Sequence, residues 1–125
     1  MKSAISWFEI PVTDYNRAKK FYTTVLGIEI NDHSMPDPTM EYGIFDYKPE
    51  EDGVGGAIFK GEGQKPSMEG TTVYLNGGND LSLPLSRVER SGGKVLMPKT
   101  DIGENGFFAL FADTEGNKVA LHSMS

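Results

Sequence analysis

The chain contains no cysteine, and only one tryptophan and two histidines among its 125 residues. Without cysteine there is no disulfide framework, no thiolate zinc site and no cysteine nucleophile. No apolar run approaches the roughly 18 residues that suggest a membrane-spanning helix. No charged, apolar and small-residue leader opens the chain, so a secretory signal is not expected. Positive charge is also scarce: 12 Lys and Arg face 18 Asp and Glu, a formal net charge of −6. That balance disfavours nucleic-acid binding, which needs a basic surface. Gly53-Val54-Gly55-Gly56 leads into a strand rather than a helix N-terminus, a poor nucleotide signal. No Ser-centred nucleophile elbow is present. These absences predict a cytoplasmic domain with neither nucleic acid nor membrane as partner.

What is present suffices for a compact fold, with 38% hydrophobic and 24% charged residues. Ile5 to Val12 reads as a strand, with Phe8, Ile10 and Val12 on one face and Trp7 and Glu9 on the other. Thr13 and Asp14 offer caps for a helix carrying Tyr15, Ala18, Phe21, Tyr22, Val25 and Leu26 on one side, closed by Gly27. Three strands follow: Ile28 to about Asn31, Glu41 to Tyr47 and Val54 to Lys60. Asp32 to Thr39 reads as a loop that contains His33. Lys48 to Gly53 reads as a hairpin turn, with the acidic run Glu50-Glu51-Asp52 at its solvated tip.

After a polar stretch from Gly61 to Met68 the order repeats. Thr71 to Asn76 reads as a strand. Leu81, Leu85 and Val88 mark a second helix, with Pro84 in its first turn or marking a late start, and Gly92-Gly93 as its stop. Strands follow at Lys94 to Met97, Phe107 to Ala112 and Lys118 to Ser123, the last two joined by a tight turn at Asp113 to Gly116. Tyr15 pairs with Leu81, Tyr22 with Val88 and Gly27 with Gly93, a period near 66 residues. Each half alone has a poor core, but side by side they can share a sheet, whose other face would enclose a cleft. The expectation is a single domain over 1–125, built from module 1 (1–62) and module 2 (68–125).

The run Phe8-Glu9-Ile10-Pro11-Val12-Thr13-Asp14, with Arg17-Ala18, Phe21-Tyr22 and Leu26-Gly27, resembles the opening of the vicinal oxygen chelate superfamily. This group includes glyoxalase I, bleomycin-resistance proteins and extradiol dioxygenases. Val73 to Asn76, Ser91 to Val95, Pro98 to Gly103 and Phe108 to Asn117 resemble its compact bacterial glyoxalase-like branch. The resemblance implies an α+β fold, two tandem βαβββ modules forming a U-shaped mixed sheet around a cleft. It is less specific for reaction, because one fold hosts many chemistries.

Metal-dependent members of that superfamily place four ligands in the cleft, one in the first and one in the last strand of each module. The resemblance maps these onto Trp7, Thr72, Ala120 and the segment Gly56 to Phe59. An indole, a methyl group and aliphatic chains are not metal ligands, and a lone threonine is a poor one. No metal ligands and no cofactor are therefore expected. The cleft side chains left by this reading are Trp7, Thr72, Tyr74, Asn76 and Ala120 as ligand-binding residues, with Glu9 and His122 as candidate catalytic groups.

Each has an alternative. Glu9 is a base or hydrogen-bonding carboxylate for a ligand, or a structural partner of a Lys or of tyrosine hydroxyls. His122 transfers a proton, or is a partly exposed residue near the chain end. Trp7 stacks on a planar ligand, or packs into the emptied metal position. Tyr74 lines a ligand wall, or is core with a satisfied hydroxyl. Phe107, Phe108, Phe111 and Met97 suit core or dimer contacts, and Asp101 to Gly106 suits a rim loop. The expected function is binding of a small organic molecule, as a binding protein or a metal-independent acid–base enzyme. Alternatives are a glyoxalase I-type lyase or isomerase with relocated ligands such as Glu9, Glu41 and His122, or a drug-binding resistance protein. A homodimer is expected, since open sheet edges need covering.

Overall fold

The computed structural model describes residues 3–125. Module 1 comprises β1 (Trp7–Pro11), α1 (Tyr15–Leu26), β2 (Ile30–His33), β3 (Glu41–Phe45) and β4 (Gly55–Lys60). Module 2 comprises β5 (Tyr74–Asn76), α2 (Ser82–Leu85), β6 (Lys94–Asp101), β7 (Phe107–Ala112) and β8 (Lys118–Ser123). The chain is thus α+β, with two tandem βαβββ modules. Each forms its own four-stranded mixed sheet, ordered β1-β4-β3-β2 and β5-β8-β7-β6. The first strand of each module runs parallel to the last, and the other pairs are antiparallel. The parallel pair needs a long crossover, which the helix and two intervening strands supply. Among the described residues, β1 and β5 are sheet edges, so the mixed sheet comes in two halves.

Helix α1 forms where the sequence pattern places it. Asp14 stands at φ −118° outside the helix, and its carboxylate accepts the Arg17 N–H at 3.0 Å, satisfying one orphan donor of the first turn. Gly27 closes the helix at φ 68°, a left-handed conformation that glycine adopts without a Cβ clash. Tyr15, Ala18, Phe21, Tyr22 and Val25 form its buried stripe.

The second helix is shorter than its apolar spacing suggests. It is a single turn followed by a 3₁₀ turn at Glu89–Ser91. Ser86 gives a reason: its hydroxyl donates to the Leu83 carbonyl at 2.6 Å. That is the acceptor the Arg87 N–H would use in an α-helix, and Arg87 bonds the Pro84 carbonyl instead. Leu81 and Val88 are still buried. The left-handed stop is Gly92, at φ 102°, the first of the expected Gly92-Gly93 pair.

Several boundaries differ from the sequence reading. His33 ends β2 instead of lying in a loop, and the hairpin tip is a 3₁₀ turn at Pro49–Glu51. Strand β6 runs on to Asp101, with irregular pairing on both sides of Met97. It tolerates Pro98 because it is an edge strand. Strand β5 starts only at Tyr74, so Thr71 to Val73 precede it.

One apolar cluster joins both modules, from Ile10, Phe21, Tyr22 and Ile58 to Leu75, Leu81, Ala109, Phe111 and Leu121. Polar side chains pin the halves together. Tyr22 donates its hydroxyl hydrogen to the buried Asp113 at 2.5 Å, and the Asn117 amide donates to the Pro11 carbonyl at 2.8 Å. Glu115, with no side-chain exposure, accepts from the backbone N–H groups of Thr13 and Asp14 and from Arg17. Burial alone would raise this carboxyl, but those donors hold it at about 2.

Candidate functional site

Strand register decides which side chains share a face. Trp7 pairs with Gly55, Glu9 with Ala57, and Phe59 with both Pro11 and Tyr42. These residues lie on the face opposite Ile10, Ile58 and Phe45, which belong to the core. Trp7 and Glu9 thus share a face, as their spacing predicts.

A hydrogen-bonded chain crosses that face. The Trp7 indole N–H donates to the Tyr42 hydroxyl oxygen at 2.9 Å, and that hydroxyl donates to Glu9 Oε2 at 2.6 Å. Aromatic rings surround it: Tyr47 meets Trp7 edge-on at 5.7 Å between centroids, and Phe59 meets Tyr42 at 5.2 Å. Glycine at 55 makes room, since a Cβ there would lie 2.8 Å from the Tyr47 ring and 2.9 Å from Trp7. Desolvation, then the bond to Glu9, raises the Tyr42 phenol, so it stays protonated near neutral pH. Glu9 has a tyrosine hydroxyl as its partner, and it remains exposed. The face therefore offers an accessible carboxylate with a neutral donor locked beside it.

On the second sheet, Tyr74 pairs with Ala120 and Asn76 with His122, which places all four on one face with Phe108 and Leu110. Tyr74 is 55% exposed, with its ring 6.3 Å from Phe108. Tyr74, Asn76, His122 and Met124 line an open cavity of about 710 Å³. His122 Nε2 lies 2.6 Å from the Asn105 carbonyl oxygen. A carbonyl only accepts, so Nε2 carries the proton and a neutral ring keeps Nδ1 as an acceptor. Two other expected site residues sit differently: Ala120 is fully buried, and Thr72 precedes the strand.

The positions corresponding to family metal ligands do not fit a metal. Trp7 faces Gly55 across the sheet, and Ala57 and Phe59 follow on β4. Ala120 supplies only a methyl group. Nor do the relocated candidates gather. Glu41 lies 3.7 Å from Lys60, on the face opposite Glu9 by register, and His122 belongs to the other sheet. Among the described residues, no group of three or more His, Cys, Asp or Glu is placed to hold a metal ion.

Sequence reasoning missed Tyr42 and Tyr47. Their signal was the alternation in Glu41-Tyr42-Gly43-Ile44, which assigns Tyr42 to a face but not to a partner. Only the pairing of β3 with β4 and β1 with β4 brings Tyr42 to Trp7 and Glu9.

No helix among the described residues is long and apolar enough to cross a membrane. The chain is 32% identical over 126 residues to a glyoxylase-like domain-containing protein of Didymella fabae, covering 94% of this chain and 91% of the relative. Among solved structures it resembles glyoxalase I from Zea mays, with a TM-score of 0.72 and 23% identity over 94% of this chain and 45% of the maize chain. It also resembles a glyoxalase/bleomycin resistance protein from Albidiferax ferrireducens T118, with a TM-score of 0.72 and 17% identity over 98% of this chain and all of the other. Two mycobacterial proteins, both named CFP32, from Mycobacterium bovis and Mycobacterium tuberculosis, are 29% identical over 118 residues. The chain spans 44% of their length, less than half. Residues 4–121 match the family described as the Glyoxalase/Bleomycin resistance protein/Dioxygenase superfamily. With its two βαβββ modules, the chain belongs to that superfamily.

Proposed function

We propose that this protein binds a small organic molecule on the Trp7–Tyr42–Glu9 face, without a divalent metal at the family's ligand positions. The observation that carries the reading is the Trp7–Tyr42–Glu9 chain itself: the position of a family metal ligand holds an indole whose N–H is spent on a tyrosine. The rings of Trp7, Tyr47 and Phe59 supply apolar contact area, and Glu9 supplies a hydrogen-bond acceptor that can also take a proton. Tyr74, Asn76 and His122 on the other sheet provide a second polar-aromatic wall. The protein acts as a homodimer, because a second copy would cover the open edges and the exposed Tyr74 and Met97.

Three measurements test this. Elemental analysis of protein purified without chelator should find far less than one equivalent of nickel, zinc, iron or manganese per chain. A full equivalent held through dialysis overturns the metal-free reading. A thermal-shift panel of small aromatic and polar compounds should give ligands that stabilise the native chain. Stabilisation that survives Glu9→Gln and Trp7→Ala unchanged removes this face as the site. A monomer by light scattering at micromolar concentration contradicts the dimer.

A further inference from the structure

A second concavity lies between the modules, with a volume of about 720 Å³. That is within the range of about 300–1,000 Å³ typical of small-molecule sites. Its apolar wall comes from Phe8, Ile28, Phe45, Leu75 and Leu83. Phe8 alternates with Trp7 and Glu9 along β1, so this wall belongs to the opposite side of the strand from the Trp7–Glu9 face.

Two cations line the groove, Arg87 and Lys48. Arg87 is half-buried, and its Nη1 donates to the Val25 carbonyl at 3.1 Å. That single bond leaves most of the five guanidinium N–H donors unused. Neither Arg87 nor Lys48 has an ion-pair partner among the described residues. Asp46 and Asp80 also line the groove, but Asp80 is engaged by Lys99 at 2.9 Å. A partly desolvated cation without a counter-ion beside an apolar wall is complementary to an anion carrying an apolar body. The two aspartates disfavour a multiply charged ligand.

We propose that this groove binds a small organic monocarboxylate, with its carboxylate on Arg87 and its hydrocarbon part against Phe8, Leu75 and Leu83. Tyr47 and Asn76 line both this groove and the surfaces proposed above, but Arg87 and the Phe8 wall lie on the other side of β1, and the proposal does not rest on the function proposed there. Guanidinium geometry accepts a carboxylate through two parallel N–H bonds, which an ammonium cannot reproduce.

The test follows backbone amides of the ¹⁵N-labelled full chain by NMR while 3-phenylpropionate is added, with 3-phenylpropanamide as the uncharged control. The carboxylate should shift the Gly53, Val54, Gly77 and Gly78 amides saturably, and the amide should bind about tenfold or more weakly. Arg87→Met should cost about tenfold or more in affinity. Because Arg87 also bonds the end of α1, Leu83→Glu is the second variant. Leu83 is 62% exposed and lines the same groove as Arg87, so a glutamate there brings a competing carboxylate to the apolar wall and excludes the ligand without removing that bond. It should abolish the saturable shifts while leaving the melting temperature within a few degrees. Absence of saturable shifts in the wild type, shifts confined to the Trp7 and Tyr42 amides, equal affinity for acid and amide, or undiminished binding in Leu83→Glu each overturns the proposal.

Discussion

Glu115, in the turn between β7 and β8, holds Arg17 of helix α1 at 2.7 Å and so ties the second module to the first. The same carboxylate accepts the N–H groups of Thr13 and Asp14, the donors just before that helix. A side chain from one half thus completes the helix start of the other. Glu115→Gln keeps the shape and removes the charge. It should lower unfolding free energy by roughly 2–3 kcal/mol, the scale of charge-assisted bonds lost in a buried setting. Urea denaturation at pH 7 checks this.

The pH dependence has a fixed sign. Glu115 is held at about 2 in the folded chain, below its ordinary value. Its contribution is therefore fully present above about pH 4.5, the ordinary range for a glutamate, and fades as pH falls toward 2. The stability gap between wild type and Glu115→Gln should be widest near neutrality and narrow steadily below pH 4.5. A gap that stays constant down to pH 2.5 contradicts the assignment.

Tyr22 and Asp113 predict a smaller effect. Removing the hydroxyl with Tyr22→Phe leaves Asp113 with its bonds from Asn117 and from the Glu115 N–H. The loss should be about 1–2 kcal/mol, one bond to a charged acceptor, with the fold intact. Calorimetry on both proteins reads it directly.

Gly56 tests the packing of β1 on β4. A Cβ at this position would overlap the Phe8 ring, which lies against the bare backbone. Gly56→Ala should cost roughly 1–3 kcal/mol through overpacking. Combining it with Phe8→Leu should recover part of the loss.

Tyr42→Phe separates a binding role from a structural one. The change deletes both bonds that the hydroxyl makes, to Trp7 and to the exposed Glu9. Stability should change by no more than about 1 kcal/mol, since water can replace both at a half-exposed site. Affinity for ligands found by thermal shift should fall about tenfold or more. Trp7 is the sole tryptophan, so its emission should report the altered surroundings.

The repeat, helix α1 and strands β7 and β8 were legible in the sequence because local chemistry specifies them. Asp14 and Gly27 delimit α1, and Phe107 to Ala112 is an unbroken apolar run that ends at the turn residues Asp113 to Gly116. The shorter second helix was hidden, since the competing Ser86–Leu83 bond does not alter the apolar spacing of Leu81, Leu85 and Val88. The face of Trp7 and Glu9 followed from alternation along one strand. Tyr42 did not, because its partners lie 33 and 35 residues away in sequence and meet only through strand pairing. Thr71 to Asn76 reads as one strand in the sequence, but the ladder begins at Tyr74, because pairing with β8 and not composition sets where it starts.

The separation of the two sheets has a further consequence. Among the described residues, no strand ladder crosses from one module to the other, so the halves meet through side chains and capping groups. Parting them would break no strand pairing. The polar surfaces that meet there, Tyr22 and Arg17 on one side and Asp113 and Glu115 on the other, are mutually complementary. A second chain opened in the same way would present identical surfaces. The joint between the halves is thus indifferent to which copy supplies each half, and the length and stiffness of the connection between β4 and β5 decide whether it closes within one chain or between two.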